Sequence, residues 1–92
     1  MKLLGTITAE ESEYVRKLLG RKDALKELAQ IIPAQEKNKD NLYERIIDDM
    51  AETSTKIEVW WKETSKKYGW SYDASDRWYL NVESNEISLD AD

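Results

Sequence analysis

Residues 41–70 read NLYERIIDDMAETSTKIEVWWKETSKKYGW, and this stretch decides the fold. Leu42, Ile46, Met50, Thr53, Ile57, Trp60 and Thr64 recur at intervals of three, four and seven, flanked by Tyr43, Ile47, Ala51 and Trp61. Such a stripe marks one face of an amphipathic helix. Asn41 with Glu44 at N3 offers a start, and Asp40 or Asn38 are alternative caps. The stop is sharper. Lys66 and Lys67 complement the helix dipole, Gly69 can take the left-handed conformation, and Trp70 stands where the apolar contact of a Schellman ending belongs. The helix runs for about 27 residues, or about 40 Å at 1.5 Å per residue. A compact globule of this length has a radius of gyration near 12 Å, roughly, so the rod needs an antiparallel partner helix or a second copy of the chain.

Upstream, Lys2 to Ile7 has the length and composition of a short strand, with Leu3, Gly5 and Ile7 on one face and Leu4 on the other. Thr8-Ala9-Glu10-Glu11 fits a capping box and opens a first helix. Val15, Leu18, Leu25, Leu28, Ala29 and Ile32 form its apolar stripe, which Gly20 and Lys22 interrupt. Gly20 costs about 1 kcal/mol relative to Ala inside a helix, which predicts a close backbone approach or a local bend. Pro33 closes the helix, and Ala34 to Asp40 reads as the connecting loop. Downstream of a loop through Ser71 to Asp76, Trp78 to Val82 alternates with Trp78, Leu80 and Val82 on one face; Glu86 to Leu89 alternates too. Glu83-Ser84-Asn85 supplies the turn, Asn85 tolerating the left-handed conformation. The fold class is therefore α+β, a single domain over residues 1–92 in the order β-α-α-β-β: a long antiparallel helical hairpin with a small antiparallel sheet at one end.

The composition excludes much chemistry. Ninety-two residues contain no His and no Cys, so the commonest general base and metal ligand, the thiolate nucleophile, the disulfide and the Cys-held iron–sulfur cluster are all absent. The net charge of −5 is local: residues 1–69 carry thirteen basic and thirteen acidic side chains, and residues 70–92 carry Arg77 against six carboxylates. Nucleic-acid binding needs clustered positive charge. The single cluster, Arg16, Lys17, Arg21 and Lys22, is interleaved with acids and reads as a solvated helix face. No run approaches the ~20 apolar residues of a membrane span, and the opening Met1 to Thr6 is too short for a secretory signal. These absences suit the cytoplasm. Glu44, Asp48 and Glu52 share one helix face, an arrangement that can hold a hard cation, but Lys56, Lys39 and Arg45 surround the row and a solvated face is its plain reading. No phosphate loop, nucleophile elbow or zinc motif occurs, so neither an enzyme, a cofactor nor a metal is expected.

All four Trp fall between residues 60 and 78. Adjacent helix positions diverge by about 100°, so Trp60 and Trp61 are expected to divide, one packing in the core and the other at its boundary. Trp and Tyr combine an apolar body with a polar tip, which makes them interface anchors. Trp61, Tyr68, Trp70, Tyr72, Trp78 and Tyr79 are accordingly the candidate partner-binding residues; the competing reading is that a chain lacking Phe fills its core with Trp. An open strand edge can also add an extended peptide. The acidic hairpin then either favours a basic partner or protects the edge against aggregation, two explanations that predict the same composition.

The order of KLLGTITAEE, RKDALKEL, NLYERIIDDMAETSTKIEVWWKETSKKYGW and WYLNVESNEISL resembles the CXXX repeat peptide modification system proteins, small bacterial accessory proteins encoded beside radical SAM maturases of ribosomally made, cysteine-repeat peptides. The resemblance implies a non-catalytic accessory protein that binds the precursor peptide or the radical SAM maturase. The CXXX belongs to the substrate peptide, and a chain without Cys fits a helper. The alternative is a self-associating helical hairpin of phage or mobile-element origin, acting as a homodimer through protein–protein contacts.

Overall fold

The computed structural model describes residues 1–32, 41–73 and 75–90. Strand β1 (Lys2–Thr6) leads into helix α1 (Ala9–Ile31), followed by helix α2 (Leu42–Tyr68) and strands β2 (Trp78–Asn81) and β3 (Glu86–Leu89). Pro33 as helix stop, the loop Ala34 to Asp40 and the alternative caps Asn38 and Asp40 lie outside the described residues, as do Ala74 and the terminal Ala91 and Asp92.

Local sequence explains each boundary. At the start of α1 the Thr8 amide donates to Glu11 Oε1 at 2.9 Å, and the Glu11 amide donates to Thr8 Oγ1 at 3.1 Å, closing the capping box in both directions. Ile32 is extended, as the residue before a proline must be. Helix α2 runs its expected 27 residues. Gly69 is left-handed at φ 73°, its amide donates to the Lys66 carbonyl at 3.3 Å, and the Trp70 amide donates to the Ser65 carbonyl at 2.8 Å. That pair of bonds is the Schellman motif. The other end of α2 differs from expectation. Asn41 is itself left-handed at φ 62° and its side chain makes no capping bond; its carbonyl alone accepts, from the Arg45 amide at 3.0 Å.

The helices are antiparallel, because Glu11 at the start of α1 meets Lys67 and Tyr68 at the end of α2, while Arg21 meets Asp49 further along. Gly20 has nothing within 4 Å of where a Cβ would sit, and α1 is continuous through it. Of the two expectations for Gly20, a close backbone approach or a local bend, the close approach does not occur among the described residues. With extents of 47 × 24 × 23 Å and a radius of gyration of 15.7 Å, the hairpin projects well beyond its core, as a rod of that length must.

The sheet order is β1-β3-β2, both pairs antiparallel. A bulge between Leu3 and Gly5 breaks the period of two in β1, so Leu4 packs on the core and Leu3 is exposed. At Gly5 a Cβ would stand 3.1 Å from Trp70 Cζ2; here glycine is what lets the indole lie against the strand. The hairpin turn places Asn85 at φ 59°. Asn81 Oδ1 accepts from the Glu83 and Ser84 amides, and β2 ends at Asn81, one residue short of the expected Val82, which is 56% exposed.

The core joins sheet to hairpin through Ile7, Val15, Trp60, Trp61 and Ile87. Trp60 and Trp61 are both buried, at 8% and 3% exposure, which corrects the expectation that they divide. Trp78 explains it. Its ring lies 5.2 Å from Trp60 and 5.3 Å from Trp61, stacked on the latter at 11°, so one indole from β2 fills the angle between two side chains that diverge on the helix.

Candidate functional site

The six aromatic candidates separate by position. Trp61 is core: its ring stacks on Trp78 and its Nε1 donates to Asp76 Oδ2 at 3.3 Å, so it offers no free surface to a partner. Tyr68 and Trp70 stack at 5.1 Å and are half-buried, with Trp70 6.0 Å from Trp61. Trp78 is half-buried between the helical indoles. Only Tyr72 and Tyr79, 41% and 46% exposed, stand at the surface. The structure therefore joins four of the six into a packed ladder and leaves Tyr79, on β2, beside a groove.

That groove, about 450 Å³, runs between α1 and β2. Leu19, Ile57 and Leu80 contribute its apolar lining, and Arg16, Lys22 and Arg77 its cations, with Asp76 as the one acid among the described residues. Among the described residues Arg16, Lys22 and Arg77 make no ion pair, whereas Lys17 pairs with Glu13 and Arg21 with Asp49. The basic cluster read as one solvated face is thus divided, two of its members turning to the groove and two being neutralised. The signal was the spacing Arg16, Leu19, Lys22, a cation, an apolar residue and a cation on one side of a helix.

Strand β2 is a sheet edge beside this groove. The Asp90 amide donates to the Arg77 carbonyl at 2.9 Å, and bonding alternates along an antiparallel pair. Tyr79 and Asn81 therefore bond to β3, and the backbone groups of Trp78 and Leu80 point outward, with no further strand on them among the described residues. The opposite edge, β1, is bulged, a common protection against strand addition. The pairing of β2 with β3 has no such irregularity.

A second pair of hollows, about 350 and 270 Å³, lies along the helices and shares Tyr14, Trp60 and Glu63. Much of its charge is internally matched. Lys67 Nζ donates to Glu11 Oε2 at 2.9 Å, the Tyr68 hydroxyl donates to Glu11 Oε1, and Lys56 pairs with Glu52. Burial pushes the Glu11 carboxyl up, but the bonds from Tyr68, Thr8 and Lys67 outweigh it and hold the pKa at about 2, below its ordinary 4.5. The same contact raises Lys67 and Tyr68. This cluster ties the first turn of α1 to the last of α2, and sequence reading assigned Glu11 only its cap.

Among the described residues no group of three or more acidic side chains is placed to hold a metal ion, and no helix is long and apolar enough to cross a membrane. Comparison with protein-family models, curated proteins and solved structures finds no match for this chain.

Proposed function

We propose that this chain is a non-catalytic accessory protein that binds an extended peptide along the open β2 edge, and that it does so in the bacterial cytoplasm within a peptide-modification system of the kind its sequence resembles. The observation that carries the reading is the outward-facing backbone of Trp78 and Leu80 next to a groove with an apolar floor. Main-chain bonds from an added strand supply affinity, and side-chain pockets supply selection. A precursor peptide fits this mode more directly than a folded maturase, because an extended chain is what an edge strand pairs with. The packed Trp ladder behind β2 supports the same role by holding the edge rigid, which lowers the ordering cost of binding.

The test is amide hydrogen exchange on the full chain titrated with a cysteine-repeat precursor peptide of such a system. Exchange at the Trp78 and Leu80 amides is expected to slow as the peptide saturates, while the Tyr79 and Asn81 amides, already bonded to β3, change little. Unaltered exchange at Trp78 and Leu80 with millimolar peptide defeats the proposal.

A further inference from the structure

The groove beside β2 differs in charge from the segment that forms the edge. Residues 70–92 are acidic as a whole, yet β2 itself carries no carboxylate, and Arg16, Lys22 and Arg77 outnumber Asp76 around the groove. Asp76 is moreover engaged, accepting from Trp61 Nε1 and from the Asp73 amide. The three cations have no carboxylate partner among the described residues, although Arg16 Nε leans on the Ser12 carbonyl at 3.4 Å.

We infer that the strand added to β2 is acidic, with a Glu or Asp, an apolar residue and a second Glu or Asp at successive alternate positions on the side that faces α1. This rests on the edge-pairing reading above. Arg16, Leu19 and Lys22 present cation, apolar, cation over a helical rise of about 9 Å. Alternate residues of a strand share a face, and three of them span about 13 Å. The long Arg and Lys side chains cover the difference. The apolar residue of the added strand rests over Leu19 and Leu80, and the flanking carboxylates meet Arg16 and Lys22, with Arg77 near the start of β2 as a further contact. Charge complementarity of this kind selects partners and register more than it adds raw affinity, so the groove discriminates between extended segments that the backbone edge alone accepts equally.

Two short synthetic peptides of equal length test this, one with Glu and one with Lys flanking a central Val at alternate positions. Each is titrated into the full chain while β2 amide shifts are followed by NMR. The acidic peptide is expected to shift Trp78 and Leu80 and to bind at least about tenfold more tightly than the basic one at low salt, the gap narrowing as salt rises. R16E/K22E should invert the preference; both positions are exposed, and Arg77→Glu gives an independent check, with circular dichroism confirming the fold of each variant. Equal binding of both peptides at β2 overturns the acidic assignment and leaves edge pairing standing. No shift at β2 with either peptide overturns both. A dimer that protects the β2 amides without peptide assigns the edge to a second copy and likewise overturns the inference.

Discussion

Glu11 does two jobs with one carboxylate, and its protonation state sets both. One oxygen accepts from the Thr8 amide and Tyr68 hydroxyl and the other from Lys67, so the ionised form is bound to α2 as well as to its own helix start. A folded-state pKa of about 2 against an ordinary 4.5 means that its stabilisation is complete above about pH 4.5 and is lost as the pH falls toward 2. Allowing for solvent screening, the contribution is about 1–2 kcal/mol. Glu11→Gln should therefore lower stability by that amount at pH 7, and the gap between variant and parent in urea melts should close between pH 4.5 and 2. A gap independent of pH would mean that the carboxylate's charge is not what holds the helices together. The cap was legible in the local sequence, Thr-Ala-Glu-Glu; the link to Lys67 and Tyr68 was not, since 56 and 57 positions separate them and nothing local sets that encounter.

At the scale of elements, Gly20 inside α1 and Gly69 just past the end of α2 behave oppositely. Gly69 is left-handed, a conformation that an L side chain pays to adopt, and Gly69→Ala should cost about 1 kcal/mol. Gly20 sits in a regular helix with open space around its Cα, so Gly20→Ala should stabilise by about 0.5–1 kcal/mol. Thermal melts of the two variants in parallel should move in opposite directions, and a loss of stability in Gly20→Ala would show that the position carries a contact absent from the isolated chain. Five elements and their order follow from periodicity and stop signals, because those signals are local. The bulge in β1 and the early end of β2 escaped them. One depends on pairing with β3, and the other falls where the Asn81 side chain bonds the turn.

For the whole molecule, the Trp ladder is the fastening between hairpin and sheet. Trp61 and Trp78 stack nearly parallel with their ring centroids 5.3 Å apart, one on a helix and one on a strand, and truncating either removes part of the same contact. Trp61→Ala should cost about 3–5 kcal/mol, and the double variant Trp61→Ala/Trp78→Ala should fall short of additivity by about 0.5–3 kcal/mol. Additive losses in chemical denaturation would show two separate packing sites instead of one. Trp61 belongs with stability, then, and the binding role proposed for this chain is placed on the edge that its stacking partner helps to hold.

What the amino-acid sequence determined by itself is the set of elements, their order, the elongated hairpin and the chemistry a chain without His or Cys lacks. These rest on residue type and near-neighbour spacing, which set backbone preference and which face is apolar. Only the tertiary structure decided that Trp60 and Trp61 share one core, that Arg16 and Lys22 part company from Lys17 and Arg21, and that β2 carries the unbulged edge. Each of those depends on what a distant segment brings: Trp78 between the two indoles, Glu13 and Asp49 beside two of the four cations, and β3 between the two outer strands. Side-chain identity sets what a residue can do, and the partner delivered by the fold sets which of those things it does.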